Sequence, residues 1–243
     1  MELADRVVLV TGGARRIGRT IALTLAKRRA HVAISYHTSR READQTTALL
    51  SEHGVRALAV RADLSKDADV RRLIQRVGRH FGRLDVLVNC AATFQRVRFE
   101  ALTERDWDFA MQTNLKGPFL CALRAAPWLK RRGGKIINIA DWAGVKPYKD
   151  YLPYCVSKSG VIGLTKALAK ELAPKVQVAA IAPGPMLPPE RMAESQRRRV
   201  ASRVPLGRWG SPQDIANTVL FLIEGTDFIT GSTVFVDGGQ LIA

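Results

Sequence analysis

Cysteine is scarce and poorly spaced for structural use. Cys90, Cys121 and Cys155 stand far apart, are odd in number and lack metal-ligand spacing, which argues against a disulfide framework or a metal site and for a reducing compartment. No stretch approaches the ~18 apolar residues of a membrane span. The opening MELADRVVLV has no basic leader and only a short apolar run, so a cytoplasmic protein with no membrane partner is expected. Aromatics make up only 7% of the chain, and none interleave with the basic runs Lys130-Arg131-Arg132 and Arg197-Arg198-Arg199. A stacking platform for nucleic acid is therefore missing, and a basic binding protein is the weakest of the readings weighed below. Linkers, repeats and low-complexity tracts are absent too, so residues 1–243 read as one domain. Negative charge is in short supply: 22 acidic residues face 38 basic ones, and the resulting +16 attracts any polyanion without choosing among them.

What is present is alternation. Short β-branched runs occur at 7–10, 31–35, 56–60, 85–89, 135–140, 176–182 and 232–236, separated mostly by helix-length segments. Seven such strands with crossover helices predict a parallel sheet covered on both faces, a Rossmann-like doubly wound α/β fold. Ser211-Pro212-Gln213-Asp214 marks one helix start, and Ser65 to Asp69 resembles another. The Pro-rich piece 182–190 is expected to be a loop at the carboxyl end of the sixth strand, the edge where such sheets bind ligands.

The first strand runs into Thr11-Gly12-Gly13-Ala14-Arg15-Arg16-Ile17-Gly18. A Gly-containing turn entering a helix offers free N–H groups and a positive dipole end to a pyrophosphate. An NAD site usually ends its second strand with an acid for the ribose hydroxyls. Here that region reads SYHTSRR, with no carboxylate; His37, Thr38, Ser39 and Arg40 offer donors to a 2′-phosphate instead. With Arg15 and Arg16 nearby, NADPH is the expected cofactor.

Further along, Asp141-Trp142-Ala143-Gly144 follows the fifth strand, and Tyr154 precedes Lys158 by four residues. That spacing puts phenol and ammonium on one helix face, where the cation is expected to lower the phenol pKa and make Tyr154 a general acid. Together with Asp63-Leu64, Asn89-Cys90-Ala91-Ala92, Asn114, Pro183-Gly184 and VDGG at 236–239, these motifs resemble the short-chain dehydrogenase/reductase family nearly end to end. The resemblance implies Tyr154 as proton donor, Lys158 as its modifier and ribose anchor, and Asn114 as holder of a relay water. It also implies Asp63 and Leu64 beside the adenine, Gly12, Ile17, Gly18, Asn89, Ala91, Pro183, Gly184 and Met186 along the cofactor, and a homotetramer built on the long helices after the fourth and fifth strands.

Departures from the family pattern narrow the expectation. Asp141 replaces the usual Ser, Arg16 the central Gly of the turn, Cys90 one Asn, and Leu187 a Thr that often meets the nicotinamide. Arg in the turn, Asp for Ser and an aromatic such as Phe94 resemble the pteridine reductase subgroup. That resemblance implies a pterin or folate substrate held by Arg16, Phe94, Asp141, Trp142 and Tyr154. An ionised Asp141 ~4 Å from a growing alkoxide would oppose ketone reduction by about 4 kcal/mol at an effective dielectric of 20, whereas a carboxyl can relay a proton to an imine nitrogen. The alternative is reduction of a carbonyl such as a β-ketoacyl thioester, which a protonated Asp141 would permit.

Overall fold

The computed structural model describes residues 1–188 and 192–243. Seven strands, β1 (Val7–Val10), β2 (His31–Tyr36), β3 (Ala57–Arg61), β4 (Val86–Asn89), β5 (Gly134–Ile139), β6 (Val176–Pro183) and β7 (Thr233–Val236), form one sheet. Its order is β3-β2-β1-β4-β5-β6-β7, and every pairing is parallel. The expected doubly wound architecture is therefore present, with strand ends shifted by a residue or so from the apolar runs. β1, β4 and β5 are buried throughout, as a strand covered on both faces must be.

Helices α1 (Arg16–Lys27), α2 (Arg40–Ser51) and α8 (Pro212–Leu220) cover one face, where Ile21, Leu25, Leu50, Ile215 and Val219 pack on Val8, Val10 and Ile34. On the other face, α3 (Asp67–Phe81), α5 (Gly117–Leu129) and α6 (Leu152–Leu172) bury Leu73, Val77, Leu120, Leu129 and Leu172 against Leu9, Leu87 and Ile136. Two shorter helices, α4 (Glu104–Met111) and α7 (Glu194–Ala201), complete the set, and α4 joins α5 through a π-turn at Gln112–Lys116. The expected start at Ser211 is a full capping box with Asp214. The start expected within Ser65 to Asp69 is also present: α3 begins at Asp67 after Lys66, while Ser65 bonds the Asp63 carboxylate. The Pro-rich segment leaves β6 as irregular backbone through residue 188; residues 189 and 190 lie outside the described part.

Chain order reverses between β1 and β4, so the crevice of a doubly wound sheet opens at their carboxyl ends. There the Thr11 hydroxyl accepts from Cys90 N at 2.9 Å and Ala91 N at 3.1 Å, locking the two strand ends together. Gly12, with φ of +65°, passes so close to Ala91 that a side chain would come within 2.8 Å of its Cα.

Candidate active site

The turn after β1 delivers α1 with its N-terminus open. Arg15, in the cap position, is extended and makes no capping bond, and no acid lies in the first turn. α2 likewise begins at Ser39 without a side-chain cap. Both termini lie at the carboxyl edge of the sheet, beside a β2 end that carries no carboxylate, whereas α4 and α8 each have a capping box. Two open N-termini with exposed Arg15, Arg16, His37, Thr38 and Arg40 around them fit a dinucleotide bearing an extra phosphate. Arg16 keeps a φ of +53°, in the left-handed region that favours the glycine it replaces. Gly18 packs where any Cβ would overlap the Gly12 carbonyl, which fixes the angle at which α1 leaves the turn. On the adenine side, Asp63 accepts from the Ser65 N–H and hydroxyl, and Leu64 is buried. Burial would raise the Asp63 pKa, but these bonds, with His37 and Lys66 nearby, hold it below the usual carboxylate range.

At the other end of the crevice stand Asp141, Tyr154 and Lys158. The Tyr154 hydroxyl donates to Asp141 Oδ2 at 2.7 Å, while Asp141 Oδ1 accepts from Ala143 N at 2.8 Å. The Lys158 ammonium is buried and donates to the Ile139 carbonyl at 2.8 Å. That is its one side-chain hydrogen bond among the described residues, so N–H donors remain for ribose hydroxyls. The expected effect of Lys158 on Tyr154 is corrected. Burial, followed by the neighbouring Asp141 carboxylate, pushes the phenol well above its ordinary value. Burial also raises Asp141 and lowers Lys158. The pair in direct hydrogen-bond contact is phenol and carboxyl.

Asn114 sits in the π-turn and uses its whole side chain. Its Oδ1 accepts from the Thr93 N–H and hydroxyl, and its Nδ2 donates to Thr93 O at 3.0 Å and Ser157 Oγ at 3.1 Å. No side-chain capacity is left for a relay water. Ser157 in turn donates to Tyr154 O at 2.6 Å, so Asn114 ties the loop after β4 to the helix that carries the phenol. The buried amide of Asn89 donates to Asn138 Oδ1 at 2.9 Å, stitching β4 to β5. The Met186 side chain is buried in the core beside Gly210, so only its backbone faces the crevice. Pro185 O accepts from Gly210 N at 2.9 Å.

Beside Tyr154 stands an aromatic cluster. Phe94 is 59% exposed, lies flat on Tyr151 (centroids 4.4 Å, 15°) and meets Tyr154 edge-on at 4.7 Å. Tyr148 and Tyr151 belong to this cluster. Trp142 is buried; its indole N–H bonds the Tyr148 hydroxyl, making it a plug beneath the wall instead of part of it. Thr11, Ser35, Thr93 and Ser157 are site-building residues that the sequence alone does not single out. Single Ser and Thr residues carry no distinctive pattern, and the bonds by which these four join separate elements span 21 or more residues.

A family model described as enoyl-(acyl carrier protein) reductase matches residues 12–240. The chain is 38% identical over 237 residues to the 3-oxoacyl-[acyl-carrier-protein] reductase FabG of Staphylococcus aureus, covering 96% of each. Among solved structures it resembles a Pseudomonas aeruginosa RhlG/NADP active-site complex, with a TM-score of 0.91, 34% identity, and 99% of this chain and 98% of that one covered. It also resembles a variant of actinorhodin polyketide ketoreductase with NADPH, with a TM-score of 0.92, 31% identity and 98% of each chain covered. None of these three is described as acting on a pterin.

Proposed function

Because the chain belongs to the short-chain dehydrogenase/reductase family, we propose that it is an NADPH-dependent reductase of 3-oxoacyl thioesters. The reading rests on the match to the 3-oxoacyl carrier-protein reductase across 96% of both chains. It revises the expectation of a pterin or folate, which draws no support from the relatives. It also has to meet the physical objection to Asp141, that a carboxylate opposes a growing alkoxide.

The Tyr154–Asp141 bond answers that objection. NADPH, when bound, supplies the hydride; the proton has to come from this chain. A buried phenol whose pKa is raised is a poor source if phenolate must remain behind. A buried Asp141 holds its own proton to higher pH than an exposed carboxyl does. With Asp141 protonated the 2.7 Å bond turns, so that Asp141 Oδ2 donates to Tyr154 Oη; the phenol then gives its proton to the carbonyl oxygen and takes the one from Asp141. The products are an alcohol, a neutral phenol and a carboxylate, and no phenolate accumulates. Lys158, 5.7 Å from the Tyr154 ring centre, stabilises the negative charge left on the pair. Gly12, Arg15, Arg16, Ile17 and Gly18 hold the pyrophosphate, His37 to Arg40 the 2′-phosphate, and Asp63 and Leu64 the adenine. This assignment puts the enzyme in the cytoplasm, acting on a small molecule.

A second reading, reduction of a dihydropterin, is favoured by one observation: the open Phe94 ring stands edge-on to Tyr154, where a flat heterocycle would stack. NADPH oxidation with acetoacetyl thioester, dihydrobiopterin and dihydrofolate, for wild type and Asp141→Ser, separates the two. Thioester turnover by wild type with pterins inert, and slower thioester turnover in the Ser variant, which lacks the Asp141 proton, is the expected result. Inert thioester, with pterin turnover that the variant loses, would replace the first reading by the second.

A further inference from the structure

Phe94 is exposed and lies on an irregular loop, a poor foundation for a wall unless something holds that loop. Two anchors flank it. On one side Thr93 is fixed by three hydrogen bonds to Asn114. On the other, Arg96 donates to Asp150 Oδ2 from Nε at 3.2 Å and Nη2 at 2.6 Å, and Val97 N donates to Asp150 O at 2.8 Å. Gln95 adds an exposed bond to Asp106. Asp150 therefore receives both the side chain of Arg96 and the backbone of its neighbour, and it does so at a φ of +67°, a conformation Asp tolerates better than most residues. Its carboxylate is only 14% exposed. The clasp bridges the loop after β4 and the loop before α6, and Phe94 on Tyr151 is the apolar half of the same junction.

We propose that Arg96 and Asp150 form a clasp that pre-organises Phe94 and Tyr151 as the substrate wall beside Tyr154, and so act as positioning residues that set substrate affinity without touching the reacting atoms. A wall populated in its binding-ready form only part of the time weakens apparent affinity by that fraction. The reacting groups do not depend on the clasp. Asp141 is held by Ala143 N, Lys158 by Ile139 O, and Tyr154 by α6. Loosening the clasp therefore raises KM and leaves kcat nearly alone. An ion pair with one exposed partner limits the effect to roughly three- to fivefold.

The inference rests on the reductase reading, and its test keeps the two apart. Arg96→Gln, Asp150→Asn and the double variant would be assayed for kcat and KM with acetoacetyl thioester at saturating NADPH, with amide exchange at Val97 measured in parallel; Asn suits the left-handed φ. The expected results are a raised KM for thioester, kcat within about twofold, and faster Val97 exchange. The double variant should be no worse than either single, because one interaction is lost in all three. Arg96→Lys, which keeps the charge, should restore most of the affinity. Unchanged KM, penalties that add in the double variant, or a fall in kcat matching the change in kcat/KM would overturn the clasp. If wild type reduces neither thioester nor pterin, the reading fails and Val97 exchange alone decides: faster exchange in Arg96→Gln supports the clasp, and unchanged exchange refutes it.

Discussion

A buried carboxyl such as Asp141 binds its proton more tightly in the folded chain than in the unfolded one, because burial penalises the charged form. Between the unfolded pKa, near 3.9, and the raised folded value, the native state holds a proton that the unfolded state has lost, so this residue's contribution to stability falls as pH rises through that window. Asp63, Asp67, Asp69, Asp106, Asp214 and Asp227 run the other way: their folded values are lowered, and their contributions grow as pH rises from the acid range. Comparing wild type with Asp141→Asn cancels the common part. Urea unfolding across pH should show wild type losing ground to the Asn variant as pH rises, and a constant difference would mean that Asp141 is not held protonated. Sequence spacing places Tyr154, Lys158 and Asp141 near one another, since residues four apart share a helix face and the end of β5 faces that helix. It does not reveal which pair bonds. The direction of the Tyr154 shift depends on burial and on Asp141 lying 2.7 Å away, both products of tertiary packing.

The β1–turn–α1 element carries a conflict of its own. Arg16 adopts φ of +53° where glycine would be unstrained, at a cost of about 1–2 kcal/mol for a residue with a Cβ. The turn holds that shape because Gly12 is pressed against Ala91, Gly13 N bonds Ser35 O at 3.2 Å, and Gly18 sits on the Gly12 carbonyl. Arg16→Gly should therefore leave stability unchanged or raise it by up to about 1 kcal/mol, the relief being partly offset by the greater freedom of the unfolded chain. Its affinity for NADPH should fall roughly tenfold, about the worth of one charge-assisted phosphate bond. Thermal unfolding and cofactor titration check the two halves separately; a destabilised variant with full affinity would remove Arg16 from the site. Elements were the most legible level of this chain. The runs of Val, Ile and Ala place every strand, because a parallel sheet buried on both faces demands continuous apolar residues. Ser211 and Asp214 announce their capping box because the whole motif is local. The Arg96–Asp150 clasp was illegible for the opposite reason: its partners are 54 residues apart on two irregular loops, and nothing in either segment specifies the other.

Across the whole molecule the excess of positive charge is unevenly answered. Around α3 several cations have partners: Arg71 and Arg124 meet Asp67, Arg72 meets Asp69, and Arg83 meets the buried Asp85. At the cofactor end Arg15 and Arg16 are exposed beside a helix terminus with no acid in its first turn, and Arg40 reaches Asp44 only at 3.8 Å. The helix ends add their own positive potential at the same edge. Arg15, Arg16 and Arg40 thus act where a polyanionic cofactor would enter, and a field of one sign at a crevice raises the encounter rate by ~10-fold or more. Such steering is screened once the Debye length shrinks below the approach distance, from ~30 Å at ~0.01 M salt to ~10 Å at ~0.1 M. The kcat/KM for NADPH should therefore fall by roughly tenfold between ~0.01 M and ~0.5 M sodium chloride while kcat stays nearly constant. An uncharged acetoacetyl thioester, varied at saturating NADPH over the same range, should show a flat kcat/KM, because it feels no steering. If both profiles fall together, salt is acting on the folded enzyme and not on the approach of the anion. If both are flat, the charge at this edge serves retention of the bound phosphates or solubility, and the surplus of cations has no part in cofactor capture.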